Sequence, residues 1–262
     1  MGQIIYQVDS FTSRAFAGNP AAVCIMSNPA SEAWMRDVAR EMNLSETAFL
    51  VPEGDGFNLR WLTPTVEVEL CGHATLASAH ILWETGVLKP DQQARFRTRS
   101  GLLTAERQSD WIELDFPAKP EEPAKPWDEL VTGLGITPRY VGKSQFDYLV
   151  EADSEQDVRK LNPDFTLLKR TNARGVIVTA RSEDGEFDFV SRFFAPGSGI
   201  DEDPVTGSAH CVLGPFWAKR LGKTEFVAYQ ASARGGVVRV RIVGNRVKLG
   251  GQAVTVMKGE LV

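Results

Sequence analysis

Along most of the chain, apolar and polar residues alternate with a period of two, and only a few stretches change to the spacing of a helix. Ile4, Tyr6 and Val8 alternate with Gln7 and Asp9 and predict a strand. Phe11 to Phe16 lead into a turn at Gly18-Asn19-Pro20, and Ala21 to Met26 read as a second, buried strand. Trp34, Met35, Val38 and Met42 recur at helical spacing within Ser31 to Met42, so an amphipathic helix packs its apolar stripe on the sheet and stops at Asn43. Strands follow over Ala48 to Val51 and Asn58 to Leu62, and Val66, Val68 and Leu70 alternate with Glu67 and Glu69. From His73 to Glu84 a helix carries Leu76, Ala79, His80 and Trp83 on one face and closes at Gly86. Phe96 to Leu103 and Trp111 to Phe116 predict a hairpin that turns at Ser109-Asp110.

The second half offers the same kinds of element. A short helix spans Trp127 to Leu134, strands lie near Phe146 to Ala152, Gly175 to Thr179 and Phe187 to Phe194, and a helix runs from about Ser208 to Leu221, ending at Gly222. Val237 to Val243 and Arg246 to Leu249 form a hairpin around Gly244-Asn245, and Val254 to Met257 adds a strand. An offset of 135 residues superposes Gly72 on Gly207, Ala74 on Ala209, Gly101 on Gly236 and Leu114 on Leu249 without a gap. Upstream, Arg60-Trp-Leu-Thr-Pro64 faces Arg192-Phe-Phe-Ala-Pro196, and three extra residues in the second copy lengthen the loop that carries Asp201, Glu202 and Asp203. The chain therefore reads as a diverged duplication, two similar α+β lobes with a binding cleft expected between them. Pro117 to Pro126 holds four prolines in ten residues and reads as a linker. The expected division is 1–116 for the first lobe, 117–126 for the linker and 127–262 for the second lobe, whose last strand is free to pack back on the first.

Charge and composition narrow the possible partners. With 34 acidic against 29 basic side chains there is no basic excess to hold a phosphate backbone, which disfavours nucleic acid. No apolar run approaches membrane-spanning length, and the start, Met1-Gly-Gln-Ile-Ile-Tyr6, has no cationic and apolar leader. Cys24, Cys71 and Cys211 are an odd number without paired spacing, as in a reducing compartment. The expectation is a soluble cytoplasmic protein.

Candidate chemistry gathers at two acidic or polar loops that feed helices. Asp201 to Cys211 runs from Glu202 and Asp203 into Thr206-Gly207-Ser208, where Thr206 or Ser208 can cap the first turn and Gly207 lets backbone approach an anion. Cys71-Gly72-His73-Ala74-Thr75 is the same device in the first lobe. Glu46 stands before an apolar strand, at a mouth where its carboxylate can face a cleft. Glu46 and Asp203 are the acid and base candidates, and His73, at a positive helix end, is expected to have a lowered pKa.

Three readings compete for these residues. Glu46 shuttles a proton between two carbons of a substrate that His73, Asp203 and Ser208 orient; or Cys71 serves as one of two opposed thiols; or Cys71, His73, His210 and Cys211 gather a metal. The residue opposite Cys71 in the duplication is Thr206, which weakens the two-thiol reading. The C-x-H and H-C spacings depart from familiar zinc sites, so no metal is expected, and His210 and Cys211 read as helix interior. Arg234-Gly235-Gly236 can hold a carboxylate if its loop reaches the cleft.

Gly18-Asn-Pro-Ala-Ala-Val23, Leu44-Ser-Glu-Thr-Ala-Phe49, Arg60-Trp-Leu-Thr-Pro64, Leu70-Cys-Gly-His-Ala-Thr75 and Glu202-Asp-Pro-Val-Thr-Gly-Ser-Ala-His210, taken in order, resemble the PhzF family of phenazine-biosynthesis-like proteins over essentially the whole chain. The resemblance implies the diaminopimelate-epimerase-like fold, two lobes each with a mostly antiparallel, barrel-like sheet around a central helix. It implies Glu46 as the acid/base, with His73, Asp203 and Ser208 at the other active-site positions; Gly72, Ala74, Thr206 and Gly207, at the two helix starts, are with Ser208 the expected substrate-binding positions. The family's type member isomerises a dihydrohydroxyanthranilate by moving a proton between ring carbons, without metal or organic cofactor, and relatives are often homodimers. The expected function is a cofactor-independent isomerase of a small carboxylate. A racemase or epimerase, or a silent binding protein that keeps the same groups, is the alternative.

Overall fold

The computed structural model describes residues 2–171 and 173–262. The chain divides into two compact units, Met1–Phe116 with Leu249–Val262, and Pro117–Lys248. Each is an α+β assembly in which strands predominate.

In the first unit, Gln3–Ser10 pairs antiparallel with both Asn19–Ile25 and Ala253–Leu261. Asn19–Ile25 runs parallel to Glu46–Glu53, which pairs antiparallel with Gly56–Leu62. Gly56–Leu62 also meets the short strand Glu67–Val68 and, in parallel, Ala94–Thr98. Gly101–Gln108 and Trp111–Pro117 complete the sheet as antiparallel neighbours. The helix Gly72–Glu84 is buried on nearly every side, Leu76, Ile81 and Leu82 completely so. Each of those three side chains contributes roughly 1.5–3 kcal/mol by leaving water. An all-round apolar helix of this kind has no solvent face to offer, which makes it the centre of its unit. Close approach continues at Gly251, where a Cβ would lie 2.6 Å from Leu76 Cδ1. The outer helix Glu32–Met42 buries only Met35, Val38 and Ala39. Ser31 caps it by accepting from the Trp34 amide, and Asn43 ends it in the left-handed conformation at φ 49°.

In the second unit, Glu122–Pro123, Tyr140–Lys143 and Asp147–Glu151 pair antiparallel in turn, and Asp147–Glu151 runs parallel to Gly175–Arg181. Gly175–Arg181 pairs antiparallel with Phe189–Ala195, which joins Ile200–Glu202 and, in parallel, Glu225–Gln230. Gly236–Val243 follows antiparallel. The helix Gly207–Leu221 is the buried centre here. Pro215 inside it has no amide hydrogen for the Cys211 carbonyl, and the Lys119 amide donates to that oxygen instead at 3.0 Å. Asp128–Leu134, Glu155–Lys160 and Phe165–Leu168 are the shorter helices.

The duplication is visible element by element. Helices begin at Gly72 and Gly207, strands at Gly101 and Gly236, and strands again at Trp111 and Arg246, each pair 135 residues apart. One ion pair is repeated as well. Arg60 Nε and Nη2 donate to Glu67 at 2.8 and 2.6 Å, and Arg192 Nε and Nη2 donate to Glu202 at 2.7 and 2.8 Å. Both pairs have the forked geometry that holds a carboxylate most firmly.

Several expectations need correction. The run Phe96 to Leu103 is two strands, because Gly101 at φ 96° turns the chain between Thr98 and its own strand. The stretch 117–126 is bound within the second unit: the Ala118, Lys119 and Ala124 amides donate to Asn245, Cys211 and Val141 carbonyls. No correction is needed for the last strand, read as free to pack back on the first lobe: Ala253–Leu261 pairs with Gln3–Ser10 and falls in the first unit. Among the described residues no helix is long and apolar enough to cross a membrane.

Candidate active site

Glu46 is the first residue of a strand held between two others, level with Ala21 of its parallel neighbour. Cys71 is the N-cap of the central helix and His73 its second residue. These elements bring three functional groups together. Glu46 Oε2 lies 3.1 Å from His73 Nε2, and Cys71 Sγ lies 3.5 Å from His73 Nδ1. Asn19 Nδ2 is 3.1 Å from His73 Nδ1, while Asn19 Oδ1 accepts from Ser45 Oγ at 3.3 Å. The Ser10 hydroxyl donates to the His73 carbonyl at 2.8 Å, and Thr75 Oγ1 donates to the Cys71 carbonyl at 2.5 Å, so the backbone beneath the ring is fixed.

Glu46 Oε2 is buried and makes no hydrogen bond of good geometry. Its 3.1 Å approach to His73 is an electrostatic contact that leaves a carboxylate lone pair open to a proton.

The lowered His73 pKa expected from the helix end is wrong in direction. Burial disfavours the imidazolium, but the Cys71 sulfur and the Glu46 carboxylate outweigh it and hold His73 well above its ordinary value. Of the two, Glu46 acts at neutral pH, because burial and the Glu46 charge push the Cys71 thiol up to about 11 and keep it uncharged. The Asn19 amide is the polar neighbour of Nδ1, and turned so that Oδ1 faces the ring it accepts the Nδ1 hydrogen of the imidazolium.

The second unit presents its own set at the start of Gly207–Leu221. The Asp203 amide donates to the Phe193 carbonyl at 3.0 Å, and Asp203 Oδ2 accepts from Thr206 Oγ1 at 2.5 Å. Gln230 is fully buried and fixes the turn: its Oε1 accepts from the Thr206 amide at 2.8 Å, and its Nε2 donates to the Asp203 carbonyl at 2.7 Å and Thr206 Oγ1 at 3.2 Å. Thr206 is the N-cap residue, but its hydroxyl is spent on Asp203, and Ser208 lies inside the first turn, so neither caps the helix. Ser208 Oγ instead accepts from Arg174 Nη2 at 3.0 Å. Arg174 is held by a forked pair to Asp147, with Nε to Oδ1 at 2.9 Å and Nη2 to Oδ2 at 2.5 Å.

Ala74 and Gly207 are buried beneath these groups, Gly72 is half-buried, and His210 and Cys211 are helix interior. His210 Nδ1 bonds the Thr206 carbonyl at 2.8 Å and burial lowers its pKa to about 4; burial raises Cys211 to about 12. Among the described residues, the group of metal-type donors within 4.8 Å of one another is Glu46, Cys71 and His73. Asn19, Gln230 and Arg174 are the polar neighbours that sequence reasoning missed. Asn19 did stand inside a quoted motif, whereas Gln230 and Arg174 carry no local signal. A hollow of about 370 Å³ in the first unit, lined by His80, Trp83, Glu84 and Arg107 among others, holds none of the candidate residues.

Residues 8–259 match the family described as phenazine biosynthesis-like protein, PhzC-PhzF. The chain belongs to the PhzF family. An uncharacterized isomerase of Halalkalibacterium halodurans is 57% identical over 258 residues, which cover 98% of this chain and 97% of that protein. A PhzF family protein of Enterococcus faecalis, solved by crystallography, superposes with a TM-score of 0.96 at 41% identity over 100% of both chains. The fold extends further: a probable proline racemase from Agrobacterium radiobacter aligns with a TM-score of 0.65 at 13% identity, covering 99% of this chain and 93% of that one. The PhzF protein thus has the α+β fold shared with racemases and epimerases.

Proposed function

We propose that this PhzF protein is an isomerase that moves a proton between two carbons of a small carboxylate substrate, needing no metal or organic cofactor, with Glu46 as the proton carrier. The observation that carries this reading is the buried, unbonded Glu46 Oε2 set 3.1 Å from His73 Nε2. The carboxylate takes a proton from one carbon, and the electron pair of the broken C–H bond becomes a new double bond. The pair of the old double bond then receives the proton at the second carbon, so atoms and electrons balance without redox. His73 holds the carboxylate in place and offsets its charge. Asp203 serves with Glu46 and His73 in catalysis, and Ser208, Thr206 and the Gly72 and Gly207 backbone hold the substrate. Relatives named as isomerases support the reaction class. The epimerase alternative through paired thiols is disfavoured: Cys71 stays protonated to about 11, and its counterpart Thr206 donates its hydroxyl to Asp203. Exchange of substrate carbon-bound hydrogen for deuterium, in wild type against Glu46→Gln, tests the reading. Loss of a general acid/base costs about 10²–10⁴-fold in rate.

A further inference from the structure

An arginine side chain carries five N–H donors, and the neighbours of Arg174 in the second unit use three of them. Nε and one Nη2 hydrogen go to the buried Asp147 at 2.9 and 2.5 Å, and the other Nη2 hydrogen goes to Ser208 Oγ at 3.0 Å. Among the described residues no acceptor takes the hydrogens on Nη1, and the side chain is 40% exposed. Ser208 Oγ is the acceptor in its bond to Arg174, so its own hydrogen is left to donate. A charged and a neutral donor thus stand side by side. The guanidinium that carries the first is held by its fork to Asp147 and lies over two rings, 5.4 Å from that of Phe146 and 5.7 Å from that of Phe193. A group fixed in this way has little freedom to lose on binding. Asp147 offsets one positive charge, but the Lys119 ammonium lies 5.6 Å from the same Phe146 ring and donates to the uncharged Gln145 amide. Lys119, Arg174 and Arg246 all favour the anion of Cys211, a buried thiol near the start of the helix Gly207–Leu221. In a chain with more acidic than basic side chains, this helix start is a place of positive field.

From these donors we infer that Arg174 is the residue that recognises the substrate's carboxylate, with Nη1 donating to one oxygen and the Ser208 hydroxyl to the other. Charge-assisted bonds of this kind are about twice as strong as neutral ones, so the pair selects a carboxylate over an amide or ester of the same shape. The half-exposed Phe146 ring beside the guanidinium gives the ligand's carbon skeleton a flat apolar wall. Arg174 binds and orients, and takes no part in moving the proton. The inference rests on the proposed function in making Ser208 a substrate-holding position; the affinity for a carboxylate stands on the donors alone.

The test is calorimetric titration with benzoate, a flat carboxylate, and with benzamide, which has its shape without the charge. The wild type should bind benzoate more tightly. In Arg174→Gln combined with Asp147→Asn, where neutral amides replace the buried ion pair, that preference should fall by roughly 10–100-fold, the effect of losing a charged hydrogen bond. Arg36→Ala, which removes a surface cation of the first unit, should leave it unchanged. If the double variant does not fold, Arg174→Lys serves: its ammonium keeps Asp147 paired but lacks the second arm for a ligand, so the preference falls there as well. No benzoate binding to the wild type, equal affinity for the two compounds, or an undiminished preference in the variant overturns the inference. A preference that depends on Arg174, in a protein that deuterates no carboxylate, upholds the carboxylate site and removes only the isomerase reading. Deuteration with a preference that ignores Arg174 removes the site alone.

Discussion

Glu46 Oε2 and His73 Nε2, from residues 27 positions apart in sequence, lie 3.1 Å apart with both side chains nearly buried. At that separation a carboxylate decides the state of the ring, because the helix end acts through partial charges worth at most ~2 kcal/mol, whereas a whole charge at contact distance in a poorly solvated site is worth more. The charged state of His73 should therefore persist well above its ordinary value. A ¹H–¹⁵N titration of the ring will show the imidazolium remaining as pH rises past about 6.5. Because the folded-state pKa is raised, this pair stabilises the protein fully below that value and loses its contribution as pH rises through the folded pKa. A ring that titrates below 6.5 contradicts the assignment.

His210 titrates in the opposite sense. Its folded-state pKa of about 4 lies below the ordinary 6.5, so the unfolded chain takes up a proton first as pH falls. Stability should drop by roughly 3 kcal/mol between pH 6.5 and 4 from this residue alone. Denaturant melts of the wild type and His210→Gln check it: the variant should lose less stability over that interval.

All three cysteines are buried, and burial holds Cys24 and Cys211 near 12 and Cys71 near 11. Since thiolate is the reactive form, native protein at pH 7 should resist iodoacetamide, and all three should label together on unfolding. Mass spectrometry after a timed pulse distinguishes this from selective labelling of Cys71.

Two arginines separate burial from mere pairing. Asp147 is almost completely buried and receives both arms of Arg174. Arg174→Ala strands that charge and should cost about 3–5 kcal/mol. Arg36→Ala breaks the Glu32 pair, in which both side chains are about half exposed, and should cost under ~1 kcal/mol. Chemical denaturation of both variants gives the comparison.

What was legible in the sequence was local or periodic. Ser31 and Asn43 bracket an apolar stripe, and they do cap the helix Glu32–Met42. The repeated spacing from Gly72 to Gly207 was visible because helix and strand starts kept the same 135-residue offset. The short helix Glu155–Lys160 was missed although Ser154 and Asp157 form a capping box, since six residues show too little periodicity to stand out. Side-chain partnerships made across the fold left no mark: Asn19 and His73 are 54 residues apart, Arg174 and Ser208 are 34 apart, and Gln230 and Thr206 are 24 apart. Thr206 was misread as a capping side chain because the competing acceptor, Asp203, is brought to it by the turn that Gln230 holds. The His73 error has the same origin, since a helix end is a local feature and the Glu46 contact is not.

Glu46 as the carrier of a carbon-bound proton can be tested on the substrate itself. The most direct test incubates wild type and Glu46→Gln in heavy water with a panel of small amino, hydroxy and unsaturated carboxylates and follows deuterium uptake by mass. The wild type should take up deuterium into at least one compound, and Glu46→Gln should do so at a rate lower by about 10²–10⁴-fold, with its melting transition intact. Equal uptake by both proteins, or binding of a panel compound to the wild type with no uptake, contradicts it.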